Sequence, residues 1–175
     1  AAAVQIEDQV FPKKCGHIRG KGVIPLAEAT EKVRAALDAR RDGDLMIIAR
    51  TDARAIEGFE AAVERAQAFI EAGADMTFVE APVSEDELAR IPAALSVPQV
   101  ANIVHGGNTP ALDRAALSDM RFSLVLYANA ALQTAVRAMS TMLASLNETG
   151  SLAASADMLA TFEERQAAVS KPYYD

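Results

Sequence analysis

The sequence predicts a parallel α/β fold, and three observations carry that prediction. Five short apolar stretches of strand character alternate with stretches of helical periodicity along 175 residues, the rhythm of repeated βαβ units. The second stretch, residues 45–50, is an unbroken apolar run rather than an alternating one, as expected of a strand covered on both faces. The first four stretches end in ionisable or amide side chains: Glu7 and Asp8, Arg50 and Asp52, Glu80, Asn102. Parallel sheets and (β/α)8 barrels build their sites at such carboxyl ends. Five units do not close a TIM barrel, which needs eight strands and about 250 residues. The alternatives are an open sheet and the later part of a (β/α)8 TIM barrel. The opening Ala1-Ala2-Ala3-Val4 has no methionine and already reads as strand, which favours the barrel.

Taken in order, residues 4–8 form a strand ending in two acids, followed by a loop. Pro25 opens a helix to about Arg41, with Leu26, Ala29, Val33, Ala36 and Leu37 on one face, and Gly43 ends it. After the apolar strand, Phe59, Ala62, Val63, Ala66, Phe69 and Ile70 keep helical spacing up to a stop at Gly73. Residues 76–79 are the third strand. Ser84 with Glu87 has the spacing of a capping box for a short helix. Residues 98–104 make the fourth strand, then the loop His105-Gly106-Gly107-Asn108. Thr109 as cap and Pro110 at the first helical position open another helix. The fifth strand spans 122–127. Helix is expected from about Ala130 to Leu146, a break at Gly150, a second helix from about Ser155 to Val169, and a polar tail at 171–175.

The totals narrow the function. With 51% hydrophobic residues the chain can bury a core and fits one domain. A net charge of -7 argues against nucleic acid or an anionic membrane surface as partner. One cysteine forbids an internal disulfide and suits a reducing, cytoplasmic setting. Neither a signal-peptide pattern nor a membrane-spanning apolar run is visible.

The stretch with the most chemistry is Pro12-Lys13-Lys14-Cys15-Gly16-His17. It gathers the single cysteine, two lysines and a histidine, and adjacent cations favour a thiolate. Gly16, Gly20 and Gly22 give the segment backbone freedom, so it reads as a lid carrying a reactive group beside paired carboxylates. A basic surface turn with an incidental cysteine is the plain alternative.

With Glu7, Lys13-Lys14-Cys15-Gly16-His17, Arg50, Glu80 and Asn102 in view, the chain resembles the isocitrate lyase and phosphoenolpyruvate mutase superfamily. It is most similar to 2-methylisocitrate lyase-like and 2,3-dimethylmalate lyase-like members. The resemblance covers nearly the whole chain. It implies that residues 1–175 are the carboxyl-terminal part of a single (β/α)8 barrel domain: about the last five β/α units, plus terminal helices from about 130. The first three units, with the upstream aspartates of the magnesium shell, would lie outside it.

What the resemblance implies is a lyase that cleaves a carbon–carbon bond in a 2-hydroxy acid through an enolate-type intermediate. Magnesium, or manganese in its place, polarises the substrate as a Lewis acid. Glu7 matches the acid that reaches the metal through water. Asp8 should point to the opposite face of its strand and ranks below it. Cys15 matches the lid thiol that protonates the departing carbanion. Lys13, Lys14 and His17 would tune that thiol and neutralise carboxylate charge, with Gly16 in the binding loop. Arg50 matches a guanidinium that clamps a carboxylate and stabilises the enolate. Glu80 would orient Cys15 or His17, and Asn102 would hydrogen-bond a substrate carboxylate. His105 stands where such lyases often carry glutamate, and either binds a carboxylate or is exposed beside its glycines.

Plainer roles stand beside these. Glu80 could cap a turn, Arg50 and Asp52 could form a rim salt bridge, and Asn102 could hold its own loop. The leading function is a magnesium-dependent lyase acting on a small-molecule carboxylate, in a homo-oligomer (a dimer of dimers). The rivals are an oxaloacetate-type decarboxylase or phosphonate-processing member of the superfamily, and an inactive barrel fragment.

Overall fold

The computed structural model describes residues 1–170, which gather into two compact units, Ala1–Ala128 and the chain from Asn129 onward. In the first unit, strands β1 (Ala3–Glu7), β2 (Met46–Thr51) and β3 (Met76–Val79) lie side by side, all parallel. Strands β4 (Val100–Asn102) and β5 (Leu124–Leu126) form a second parallel pair. Thr77 joins the two sheets. Its N–H donates to the Pro98 carbonyl at 3.1 Å, and its hydroxyl donates to Gln99 Oε1 at 2.8 Å. Both side chains are fully buried, so their polar atoms had to be paired with each other.

Helices α1 (Leu26–Ala39), α2 (Arg54–Glu57), α3 (Phe59–Glu71), α4 (Glu85–Ala94) and α5 (Arg114–Asp119) follow or separate these strands. The unbroken apolar run of β2 is explained by burial on both sides. Ala49 packs with Ala29, Val33 and Phe69 of α1 and α3. Its neighbour Ile48 packs with Met76, Phe78 and Val100 on the other face. Val79, Leu88, Ile91, Leu117 and Phe122 belong to a third cluster beneath α3, α4 and α5.

The strand register sets up everything that follows. Glu7 pairs with Arg50, and Arg50 pairs with Phe78. Side chains at paired positions share a face, and the face repeats every second residue. Asp52 continues the row two places beyond Arg50, and Glu80 two places beyond Phe78.

Several boundaries differ from the sequence expectation. The helix expected to open at Thr109-Pro110 begins at Arg114 instead. Asp113, whose carboxylate accepts the Ala116 N–H at 2.9 Å, is its cap, while Thr109 is buried. Aspartate caps better than threonine, and it wins. Pro25 stands in the cap position of α1, one place before its first turn. The Ser84–Glu87 box is half formed. Ser84 caps the Glu87 N–H, but the Glu87 carboxylate accepts from Val83 N–H and forks to Arg54. The single turn α2 has no counterpart in the sequence reading.

In the second unit, α6 (Ala130–Thr149) ends at Gly150 in the left-handed conformation, φ 66°. The single helix expected over 155–169 is two elements, a 3-10 helix (Leu152–Met158) and α7 (Phe162–Ala168). The break follows from a full capping box. The Thr161 hydroxyl accepts the Glu164 N–H at 3.1 Å, and Glu164 accepts the Thr161 N–H at 2.7 Å. The expected polar tail, 171–175, lies outside the described residues. Among the described residues no helix is long and apolar enough to cross a membrane.

Candidate functional site

The site stands where β1, β2, β3 and β4 end, and Arg50 is its centre. The Arg50 guanidinium forks onto Asp52, Nε to Oδ2 at 2.8 Å and Nη2 to Oδ1 at 3.0 Å. Nη1 lies 3.2 Å from Glu80 Oε2, and Nε lies 3.4 Å from Glu7 Oε2. Its carbon centre stands 5.0 Å from the Phe78 ring centroid. One cation therefore answers three carboxylates and a ring face. Asp52 is wholly buried, so this is an interior pair and not a rim salt bridge.

Their partners drive the two buried carboxylates apart in character. At Asp52 desolvation favours the neutral acid, but the Arg50 hydrogen bonds, the Arg50 charge and Lys21 outweigh it and hold the carboxyl below its usual range. At Glu80 burial dominates and pushes the carboxyl up, against the charges of Arg50 and His17. Arg50 itself is held above its ordinary value. Burial works against its charge, but the Asp52 hydrogen bonds and the surrounding acids prevail.

Glu80 is 1% exposed and faces three groups rather than capping a turn. Besides Arg50, His17 Nε2 lies 2.9 Å from its Oε1, and Asn102 Nδ2 donates to its Oε1 at 3.3 Å. Asn102 thus reaches across strands and does not serve its own loop. His17 Nδ1 accepts the Asn108 N–H at 3.2 Å. In the neutral ring this leaves the proton on Nε2, facing Glu80.

The loop between β1 and α1 is docked onto these side chains. A Cβ added to Gly16 would lie 2.4 Å from Glu80 Cγ and 2.6 Å from Arg50 Nη2. Only a residue without a side chain lets the backbone come this close. The loop is closed on itself by Gln9, whose amide accepts the Lys14 N–H and donates to the Lys14 carbonyl, both at 2.8 Å.

The three side chains expected to tune Cys15 each engage an oxygen. Lys13 pairs with Glu7 at 3.2 Å, Lys14 donates to the Gly20 carbonyl at 2.6 Å, and His17 turns to Glu80. Cys15 is exposed at the loop's edge, one residue from the docked Gly16. His105 is also exposed, in the turn after β4.

Asp8 turns to the opposite side, as strand parity requires. It is 1% exposed and accepts the Thr51 hydroxyl at 2.7 Å and the Asp52 N–H at 2.9 Å. Arg65 of α3 lies 3.5 Å from it, forks onto Glu57, and donates to the Ile24 carbonyl at 3.0 Å. Burial pushes the Asp8 carboxyl up, opposed by these hydrogen bonds and by Arg65.

Sequence reasoning missed Lys21, Gln9 and Arg65. No local signal marks them, because their partners are distant or are backbone atoms. As for a metal, Glu7 is engaged by Lys13 and Arg50. Among the described residues no three histidine, cysteine, aspartate or glutamate side chains cluster so as to hold an ion. The donors present therefore do not by themselves make a metal site.

Comparison with known proteins gives a consistent result. The family model described as phosphoenolpyruvate phosphomutase matches residues 1–147. The chain is 43% identical over 164 residues to the petal death protein of Dianthus caryophyllus, covering 94% of the chain and 52% of the relative. It is 40% identical over 163 residues to the 2,3-dimethylmalate lyase of Eubacterium barkeri, covering 93% and 56%. To the 2-methylisocitrate lyase of Bacillus subtilis it is 40% identical over 174 residues, covering 99% and 56%. Among solved structures, oxaloacetate acetylhydrolase with 3,3-difluorooxalacetate superposes with a TM-score of 0.83 at 33% identity, covering 87% of this chain and 52% of that one. Phosphonopyruvate hydrolase with oxalate and Mg++ gives 0.82 at 27% identity, covering 99% and 60%. The chain spans about half the length of the curated relatives it matches, and its parallel β/α units are part of the barrel these superfamily members share.

Proposed function

The chain belongs to the phosphoenolpyruvate phosphomutase family, and from that premise we propose that the protein it represents is a carbon–carbon bond lyase. Its substrate is a 2-hydroxy di- or tricarboxylate of the 2-methylisocitrate type, released as a 2-oxo acid and a carboxylate. The observation that carries this reading is Arg50. It is held by the Asp52 fork and the Glu80 contact at the carboxyl ends of the strands, with the Cys15 loop docked against it.

Cleavage requires the hydroxyl proton to pass to solvent water while the electrons of the broken carbon–carbon bond pass to the departing carbon, giving an enolate and the 2-oxo acid. A guanidinium already fixed in place stabilises that charge without reorganising. Glu80 holds Arg50 and His17 together, so that His17 sets the position of the Cys15 loop, and Asn102, with its second amide hydrogen, meets a substrate carboxylate oxygen. Cys15 delivers a proton from its thiol to the departing carbon, with Lys13 and Lys14 supplying positive charge at the loop. His105, in the turn after β4, is a further candidate to bind a substrate carboxylate. Magnesium (or manganese), by analogy with the oxalate and Mg++ complex of phosphonopyruvate hydrolase, would polarise the substrate as a Lewis acid. Glu7 would reach it through water, with the remaining ligands supplied from beyond these residues. Residues 1–175 then form the carboxyl-terminal part of one barrel domain in a cytoplasmic homo-oligomer, a dimer of dimers, which light scattering tests.

Product analysis on the complete reading frame, with magnesium, 2-methylisocitrate, 2,3-dimethylmalate and oxaloacetate, tests the reading. Pyruvate with succinate or propionate, abolished by Cys15→Ser, is the expected result. A second reading, an enzyme acting on oxaloacetate, is favoured by the likeness to oxaloacetate acetylhydrolase. Turnover of oxaloacetate alone, indifferent to Cys15→Ser, would establish it instead.

A further inference from the structure

Lys21 has a side chain only 3% exposed, although it sits between two glycines in a loop whose other cations, Lys13, Lys14 and Arg19, are on the surface. Its ammonium lies 3.4 Å from Asp52 Oδ1 and donates a hydrogen bond to the Gly16 carbonyl. Burying a lysine without a counter-charge is strongly unfavourable. Both partners are therefore needed, and each belongs to a different part of the site. Asp52 is the carboxylate that fixes the Arg50 plane. Gly16 is the point at which the loop rests on Arg50 and Glu80.

We propose that Lys21 is a positioning residue, an ionic latch that ties the carbonyl of Gly16 to Asp52 and so holds the Cys15 loop against Arg50 and Glu80. As a role in turnover the latch rests on the lyase reading; as a tie on the loop it stands on geometry alone. The loop has open space beside it. A cavity of about 300 Å³ borders it, lined by loop residues together with Ala55, Ile56 and Asn108. Within the loop, Gln9 closes the segment only as far as Lys14. Lys21 engages the next stretch through the Gly16 carbonyl. Beside it His17 meets Glu80 at 2.9 Å and accepts the Asn108 N–H at 3.2 Å, and it is Lys21 that links this stretch to Asp52.

Amide hydrogen exchange on the complete protein separates the latch from a general stabilising role. Lys21→Met keeps the bulk of the stem and removes the charge. It should speed exchange of residues 15–18 about tenfold or more, leave β2 and β3 unchanged, and lower kcat by a similar factor; local opening is read in this way. Arg19→Met, an exposed cation lost from the same loop, should leave exchange unchanged. Unchanged exchange at 15–18 in Lys21→Met would overturn the latch. So would equal acceleration of loop and strands in both Lys21→Met and Lys21→Gln, since Lys21 would then be stabilising the fold at large. Faster loop exchange in a protein that turns over none of the lyase substrates would uphold the latch and sink the lyase reading.

Discussion

Glu7 and Asp8 are neighbours in the chain and opposites in the structure. Glu7 is part-exposed and faces the docked loop through Lys13 and the strand row through Arg50, at 3.2 and 3.4 Å. Asp8 is sealed beneath the same strand ends, with two donors under 3 Å and Arg65 beyond them. The pleat alone separates them, because successive strand residues point to opposite faces. The two acids divide the labour. The loosely held acid keeps part of its surface open to solvent, while the sealed one braces Thr51 and Asp52, on which the Arg50 fork depends.

Exchanging the two acids' fates should therefore fail in one direction only. Asp8→Ala strands a buried hydroxyl donor and a buried N–H and takes one carboxylate from Arg65, which keeps Glu57, and should cost about 3 kcal/mol. Glu7→Gln, with a part-exposed and loosely paired carboxylate, should cost less than about 1 kcal/mol. Denaturant titration of both variants measures the gap. Equal losses would erase the distinction between the sealed brace and the open acid.

Gly16→Ala sharpens the comparison from the loop side. Its Cβ would fall 2.4 Å from Glu80 Cγ, which the buried glutamate cannot yield to without letting go of Arg50 or His17. The loop must lift. Misplacement of about 1 Å costs roughly 100-fold in rate, so turnover should fall by about that factor. Stability should move by less than about 1 kcal/mol, because the loop carries little of the core. Steady-state kinetics alongside a melting curve checks both parts. Undiminished kcat would mean that the docked loop is not the reactive arrangement.

The row of site residues was legible because it obeys a local rule. Glu7, Arg50, Glu80 and Asn102 all end strands, and apolar runs announce where strands end. The parity of Asp8 was legible for the same reason. The commitments of the loop cations were not, because Lys13, Lys14 and His17 chose among oxygens that only the fold brings close. Lys21 was invisible, since nothing in Gly20-Lys21-Gly22 forecasts burial against Asp52. The start of α5 was misread because Thr109-Pro110 and Asp113 compete as caps, and the buried Thr109 could not serve. Thr161 and Glu164 carry the signature that was read at Ser84 and Glu87, and there it forms in full.

Glu87 supplies the smallest and cleanest gauge of what an acid at the rim contributes, against which both Glu7 and Asp8 can be scaled. Burial favours its neutral form, but the Arg54 fork at 2.6 and 2.9 Å and the Val83 N–H outweigh that and depress its pKa. A carboxyl whose folded pKa lies below its unfolded value binds fewer protons in the native state. Its stabilising effect is therefore fully present above the unfolded value, near pH 4.5, and drains away as pH falls toward the folded one. Glu87→Gln should lower stability by about 1 kcal/mol at pH 7. The difference from the unsubstituted protein should shrink steadily as urea titrations are repeated from pH 5 down to pH 3. A gap that stays constant with pH would mean that Glu87 acts through packing rather than charge. In that case the contrast between Glu7 and Asp8 would have to be rebuilt on burial alone.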